Sequence, residues 1–400
     1  MTARANVVQT PGHLHAGTDA HHLEPQPRGI YVVGARLAWA RGRSPSNPRT
    51  SMTFLSNQYS QLRRELTTAP RTWLITGVAG FIGSNLLEEL LGLGQTVVGL
   101  DNFSTGYQSN LDSVLASQPA TGRFRFVEGD VRDLDIVRQA CQGVDFVLHQ
   151  AALGSVPRSI QDPLTSAQVN VDGMLHVLIA ARDTGVKRVV YASSSSVYGD
   201  STELPQVEER TGRILSPYAA TKAAGEMFAD VFQRTYGIEI VGLRYFNVFG
   251  PRQDPNGAYA AVIPRWVSNL LNAKPCVIFG DGETSRDFSH VANVIQANLL
   301  AAVNANAEVT GQTYNIACGE STSLNALFCL IRDGLASYRP SISSAEPRYE
   351  AFRPGDIRRS FANIEKARGH LGYVPQYEVQ EGLAETLPWY MKSVGLRSDA

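Results

Sequence analysis

Tyr218 and Lys222 stand four residues apart in the run Ser216-Pro217-Tyr218-Ala219-Ala220-Thr221-Lys222. On a helix that spacing puts both side chains on one face, a turn apart. Ser216 as N-cap and Pro217 at the first helical position predict that a helix begins here. An ammonium held beside a phenol favours the phenolate and lowers a tyrosine from its reference pKa of about 10. Tyr218 is therefore a candidate general base near neutral pH, with Lys222 as its partner. Upstream, Ser193-Ser194-Ser195-Ser196 closes an apolar segment. Taken alone, a Tyr-x-x-x-Lys pair also describes many helices in which a tyrosine packs near a solvated lysine. Its meaning depends on what else the chain carries.

The second chemical signature is the turn Thr76-Gly77-Val78-Ala79-Gly80-Phe81-Ile82-Gly83. It follows a strand-like segment, Trp73–Thr76, and opens a helix-like one in which Leu86, Leu87, Leu90 and Leu91 share a face. Gly77, Gly80 and Gly83 divide three tasks: a tight turn, a close approach of backbone to a pyrophosphate, and close packing of helix on strand. The helix N-terminus then presents free N–H groups and a partial positive charge to phosphates. A second strand, Thr96–Leu100, ends at Asp101. A carboxylate there accepts hydrogen bonds from an adenosine ribose and repels a 2′-phosphate, so the predicted cofactor is NAD rather than NADP.

These groups need a scaffold, and the rest of the sequence describes one. Short apolar runs at 124–128, 145–149, 188–192 and 238–243 alternate with helical stretches. That alternation predicts an α/β fold, a doubly wound parallel sheet, with its binding crevice at the C-terminal ends of the strands. Asp130 and Val131 follow the third strand; Gln150, Ala151 and Ala152 follow the fourth; the serine row follows the fifth. Asp130 is placed to bond an adenine amino group, and the two alanines let a dinucleotide pass close to the backbone. Beyond Arg244 the texture changes to loops rich in Gly, Pro and Asn. The expected division is a nucleotide-binding domain over 52–245 plus about 287–304, and a smaller interleaved substrate domain over 246–286 plus 305–392.

With 43% apolar and 18% charged residues, the 400-residue chain has ample material for a large core. Its net charge of −1 gives no reason to expect a nucleic-acid or anionic-membrane partner. No uninterrupted apolar run approaches the ~18 residues of a membrane span. Cys141, Cys276, Cys318 and Cys329 show neither a C-x-x-C pair nor companion histidines, so neither a disulfide framework nor a metal site is expected. A reducing cytoplasm is the simplest setting. Residues 1–51 are arginine-rich, acid-poor and hold His13, His15, His21 and His22 at irregular spacing. The expectation is that they are disordered, or upstream sequence ahead of a start at Met52, with an ordinary helix over Ser56–Leu66 leading into the first strand.

From about residue 55 to 392 the sequence resembles the extended short-chain dehydrogenase/reductase family, specifically its UDP-sugar 4-epimerases. The likeness rests on the glycine turn, Asp101-Asn102-Phe103-Ser104-Thr105-Gly106, Gly129-Asp130-Val131, Ser194-Ser195-Ser196-Val197-Tyr198-Gly199, the Tyr218/Lys222 pair, Arg244-Tyr245-Phe246-Asn247-Val248-Phe249-Gly250 and Arg286-Asp287-Phe288. Gly154–Ser159 and Asp254–Pro264 add a likeness to bacterial UDP-N-acetylglucosamine 4-epimerases of O-antigen and capsule synthesis. The resemblance implies that Tyr218 takes the proton from the sugar 4-hydroxyl while C4 gives hydride to NAD. The keto sugar then turns over and hydride returns to its other face. Ser194, with Ser195 beside it, is implied to hydrogen-bond the reacting oxygen. Phe81, Ile82, Asn102, Ser104, Thr105, Gly106, Val131 and Tyr245 join the expected cofactor contacts. Asn247, Arg286 and Arg353 match diphosphate ligands, Asp356 a uridine ribose contact, and Ser155, Ala261 and Val262 further substrate contacts. Ser360 stands where a bulky aromatic excludes 2-acetamido sugars, so an open pocket is implied.

Three alternatives stay open at this level. A nucleotide-sugar dehydratase or decarboxylase shares the first step, but such relatives place an acid in the serine motif, and none stands here. A UDP-N-acetylglucosaminuronate epimerase would use Arg158, Arg358 and Arg359 for a C6 carboxylate. A non-catalytic NAD-sensing regulator commonly lacks the tyrosine and lysine that this chain has. The resemblance also implies a homodimer, formed by the helix around Asn170–Ala181 and that of Tyr218.

Overall fold

The computed structural model describes residues 48–118, 122–256, 260–352 and 357–393, and side chains from residue 58 onward. Arg353 and Asp356 lie outside the described residues, as do the N-terminal histidines.

Helix α1 (Pro48–Thr68) leads into strand β1 (Thr72–Thr76), the glycine turn and α2 (Phe81–Gly92). It begins ahead of the expected start at residue 52, and Tyr59, Leu62 and Leu66 bury one face of it at helical spacing. The chain continues through β2 (Thr96–Asp101), α3 (Gln108–Ser117), β3 (Phe124–Glu128), α4 (Leu134–Cys141) and β4 (Phe146–His149). Short helices α5 (Val156–Gln161) and α6 (Pro163–Ala167) lead through one π-helical turn into α7 (Gly173–Thr184). Then come β5 (Arg188–Ser194), α8 (Pro217–Tyr236) and β6 (Glu239–Tyr245).

The main sheet has seven parallel strands, in the order Gln312–Ile316, β6, β5, β4, β1, β2, β3. The predicted α/β, doubly wound architecture is what forms. The strand order reverses between β1 and β4, and this switch point opens the crevice at their C-terminal ends. One correction concerns the domain boundary: Gln312–Ile316 joins the main sheet beside β6, although the sequence reading put 305–392 wholly in the second region. The polar residues Gln312, Thr313 and Asn315 interrupt its apolar pattern and hid this edge strand.

Each face of the sheet is covered by apolar helix faces. On one side Leu86, Leu87, Leu90 and residues of α1, α3 and the helix Val291–Val303 pack on Trp73, Ile75 and Leu148. On the other, α4, α7 and α8 pack on Leu74, Val147 and Val189. A third core, around Trp266, Phe328, Leu383 and Tyr390, unites the helices Val262–Leu271, Leu324–Ala336 and Val379–Ser393. Among the described residues no helix is long and apolar enough to cross a membrane, and no His, Cys, Asp and Glu cluster is suited to a metal ion.

Candidate active site

The glycine turn is built as tightly as its composition predicts. Gly77 has φ +70°, in the left-handed region, and a Cβ there would lie 2.9 Å from Ala151 Cα. A Cβ on Gly83 would lie 2.1 Å from the Gly77 carbonyl oxygen, so only hydrogen fits where α2 leaves the turn. Asp101 locks the turn from the neighbouring strand: its carboxylate accepts from Ala79 N at 2.9 Å and Phe103 N at 2.8 Å. Burial pushes this carboxyl above its usual range, and the backbone donors pull the other way.

A cleft of about 510 Å³ opens above the turn. Gly77, Gly80, Phe81, Ile82, Gly83, Asp101, Asn102, Ser104, Thr105, Asp130, Val131, Gln150, Ala151, Ala152, Ser155 and Ala261 all line it. Gly106 does not; it packs beneath the turn, where a Cβ would lie 2.8 Å from the Ala79 carbonyl carbon. Asp130 is held by Arg132 at 2.7 Å and by Asn102 Nδ2 at 2.7 Å, and the Arg132 hydrogen bond leads in lowering its pKa to about 2. Its carboxylate is thus already engaged by Arg132 and Asn102. Tyr245 is buried and off the cleft wall. Its hydroxyl donates to Gln150 Oε1 at 3.1 Å and accepts from Asn298 Nδ2 at 2.9 Å, so it reaches the cleft only through Gln150.

Tyr218, Lys222, Ser194 and Ser195 are not among the residues that line the cleft; the pair meets the serine row where α8 packs on the end of β5. Ser216 Oγ accepts from Ala219 N and Pro217 opens α8, so the helix starts as its caps predict. Lys222 Nζ donates to the Ala192 carbonyl on β5, and Tyr218 hydrogen-bonds Ser194. Asn170 fastens α8 to the cleft, receiving Leu153 N at 2.8 Å and donating to Thr221 Oγ1 at 3.0 Å. Leu153 itself lines the cleft. Burial, which the spacing could not report, acts on both members of the pair. Burial pushes the Tyr218 phenol up, and only its Ser194 hydrogen bond opposes this. Lys222 is itself pushed down to about 8 by burial, so the ammonium is weaker leverage than its spacing suggested. His149, buried nearby and close enough to feel that ammonium, is pushed down to about 3, chiefly by burial.

Beneath the serine row lies a buried ion pair the sequence reading did not single out. Glu226 accepts Ser193 Oγ at 2.5 Å and both Arg244 Nε and Nη2, at 2.9 and 2.8 Å. Its one legible signal was the four-residue step from Lys222 to Glu226. Ser194 Oγ caps the following 3₁₀ turn by accepting Ser196 N, and Ser195 opens that turn.

Of the candidate substrate residues, Ser155 and Ala261 line the cleft, whereas Asn247, Val262, Arg286 and Ser360 are not among its lining residues. Asn247, exposed with φ +30°, donates Nδ2 to the Asp287 carbonyl at 2.9 Å. Arg286 and Ser360 face each other across a short parallel pairing. Ser360 is buried, with its hydroxyl on Gln206 Oε1 at 3.2 Å. The buried Asp287 carboxylate accepts backbone N–H groups of Cys318, Gly319 and Ala362, tying three segments together. Val262 opens the helix that Ala261 caps. Ser155 spends its hydroxyl capping α5, accepting Arg158 N at 3.2 Å.

This geometry has known counterparts. A UDP-glucose 4-epimerase of Mycolicibacterium smegmatis is 38% identical over 319 residues, covering 79% of this chain and 97% of that protein. The solved UDP-N-acetylglucosamine 4-epimerase of Methanobrevibacter ruminantium, in complex with UDP-N-acetylmuramic acid, is 38% identical with a TM-score of 0.74, covering 81% of this chain and 99% of that one. The Bacillus cereus UDP-glucuronic acid 4-epimerase, solved with UDP-glucuronic acid and NAD, is 30% identical with a TM-score of 0.72, covering 80% and 99%. Residues 73–317 match the model of one family, and the chain belongs to that family, the NAD dependent epimerase/dehydratase family.

Proposed function

We propose that this chain interconverts UDP-N-acetylglucosamine and UDP-N-acetylgalactosamine by inverting carbon 4, and also turns over UDP-glucose and UDP-galactose. The observation that carries the sugar choice is Ser360. A small, buried side chain stands opposite Arg286, with its hydroxyl on Gln206 and no aromatic bulk at the position. The relatives that act on UDP-sugars at carbon 4 support the reaction class.

When bound, NAD supplies an acceptor and donor for the C4 hydride. The cleft suits it because the glycine turn leaves no room for a Cβ where a pyrophosphate approaches, and Asp101 stands at the end of β2. In this reading Tyr218 removes the 4-hydroxyl proton and later returns it, Ser194 holds the reacting oxygen, and Lys222 keeps positive charge beside the phenol. Asn247, Arg286 and Arg353 grip the diphosphate, with Asp356 on the ribose; guanidinium forks suit that task. Residues 52–245 with about 287–304, together with the strand Gln312–Ile316, carry the cofactor. Residues 246–286 and the rest of 305–392 carry the UDP-sugar.

The carboxylates that line the cleft argue against elimination. Asp101, Asp130 and Asp254 are engaged with the turn, with Arg132 and with Tyr107, and Glu226 is held by Arg244 under the serines. A UDP-uronate reading keeps one supporting observation, Arg158 on the cleft wall. It loses another, since Arg358 pairs with Asp281 at 2.9 Å and stacks on Phe352. Exposed Met227 and Val231 support a homodimer through α8, whereas Met174, Val177 and Leu178 of α7, the other helix expected at the interface, are buried in this chain's own core. Incubating the purified protein with UDP-N-acetylglucosamine, without added NAD, tests the reading. Formation of UDP-N-acetylgalactosamine supports it, and turnover confined to uronates refutes it.

A further inference from the structure

The segment Pro251–Asn256 forms a strap along the cofactor cleft, where Gln253 and Asp254 line the same wall space as Gly77, Gly80 and Phe81. It is fastened at three points. Arg252, in the left-handed region at φ +69°, buries its guanidinium against Asn85 and Glu88 of α2, while Asn85 Nδ2 donates back to the Pro251 carbonyl at 3.0 Å. In the middle, Tyr390 donates to the Gln253 carbonyl at 2.9 Å, and Gln253 Nε2 donates to Val248 O at 3.0 Å. At the outer end, Tyr107 donates its phenolic proton to Asp254 Oδ2 at 2.7 Å.

Tyr107 is rooted in the glycine turn itself. Its backbone N–H donates to Ala79 O at 3.0 Å, and Asn110 Nδ2 donates to the same oxygen at 2.8 Å. Asp254 is oriented in turn, because its other oxygen accepts Asn256 N at 2.8 Å. The two inner fastenings are buried or part-buried, whereas Tyr107 is 48% exposed. Opening a buried ion pair leaves charge unpaired at high cost. Opening an exposed phenol–carboxylate bond costs little, because water replaces both partners.

We infer that Tyr107 and Asp254 form a latch that retains NAD, and that the dinucleotide exchanges with solvent when this bond parts and the strap's outer end lifts. The latch rests on the family's cofactor and is independent of which UDP-sugar is turned over. It suits chemistry in which the same nicotinamide must take up a hydride and give it back before it leaves.

The test uses full-length holoenzyme and radiolabelled NAD. Bound cofactor is chased with excess unlabelled NAD, well below the melting temperature, and retained label is read by filtration. Tyr107→Phe keeps the ring and loses the donor; it is expected to exchange roughly 3- to 10-fold faster than wild type. Asp254→Ala is expected to match it, and the double variant to be no faster than either single. Exchange at the wild-type rate in Tyr107→Phe would overturn the latch, as would single effects that multiply in the double variant. If Asp254→Ala does not fold, Tyr107→Phe decides alone.

Discussion

Lys222 Nζ donates to the carbonyl oxygen of Ala192 at 2.9 Å, which pins the ammonium to the end of β5, two residues before Ser194. Burial holds its pKa near 8, with Glu226 partly opposing, against about 10.4 in an unfolded chain. Between those values the unfolded state binds more protons, so this group's contribution to stability rises with pH. Urea unfolding at about pH 7 and about pH 10 should show wild type gaining on Lys222→Met at the higher pH. An unchanged difference would place the lysine in solvent.

Tyr218→Phe removes the only proton Tyr218 can move while leaving its ring in place. Epimerisation is expected to fall by roughly 10²–10⁴-fold, the usual worth of a positioned acid–base group. NAD content after purification, read by absorbance of the released cofactor, is expected to stay at the wild-type level. Loss of cofactor and activity together would mean that Tyr218 serves binding rather than proton transfer.

Gly83→Ala places a methyl group 2.1 Å from the Gly77 carbonyl oxygen, and backbone must move to admit it. The variant should purify without NAD and melt at a lower temperature. Normal NAD content in that variant would show that the turn does not hold the pyrophosphate.

Ser360→Tyr puts an aromatic ring where a small hydroxyl now meets Gln206. Turnover of UDP-N-acetylglucosamine should be lost while that of UDP-glucose persists, measured by chromatography of the two epimer pairs. Overpacking alone costs about 1–3 kcal/mol and would depress both substrates alike. Equal loss would therefore move the specificity gate elsewhere.

Local signals made much of this site legible. Gly77, Gly80 and Gly83 between a strand and an amphipathic helix announced the turn, and Ser216-Pro217 announced the start of α8. What escaped depended on contacts between distant segments. Nothing near Tyr107 in the chain points to Asp254, and nothing near Ser360 points to Gln206. Ser155 and Ser194 were read for their hydroxyls, yet both also cap short helical turns, a use their positions before Val156 and Ser195 allowed. The strand Gln312–Ile316 was missed because an edge strand beside buried β6 carries polar residues. Spacing reports a neighbouring charge and is silent about burial, which pushes the Tyr218 phenol up.

The central claim is that carbon 4 is oxidised and reduced by one retained cofactor with Tyr218 moving the proton. Purified protein, given UDP-N-acetylglucosamine deuterated at carbon 4 and no added NAD, tests it most directly. The predicted result is UDP-N-acetylgalactosamine with deuterium still at carbon 4, because the hydride leaves and returns on the same nicotinamide. Product in which solvent hydrogen has replaced that deuterium would contradict it.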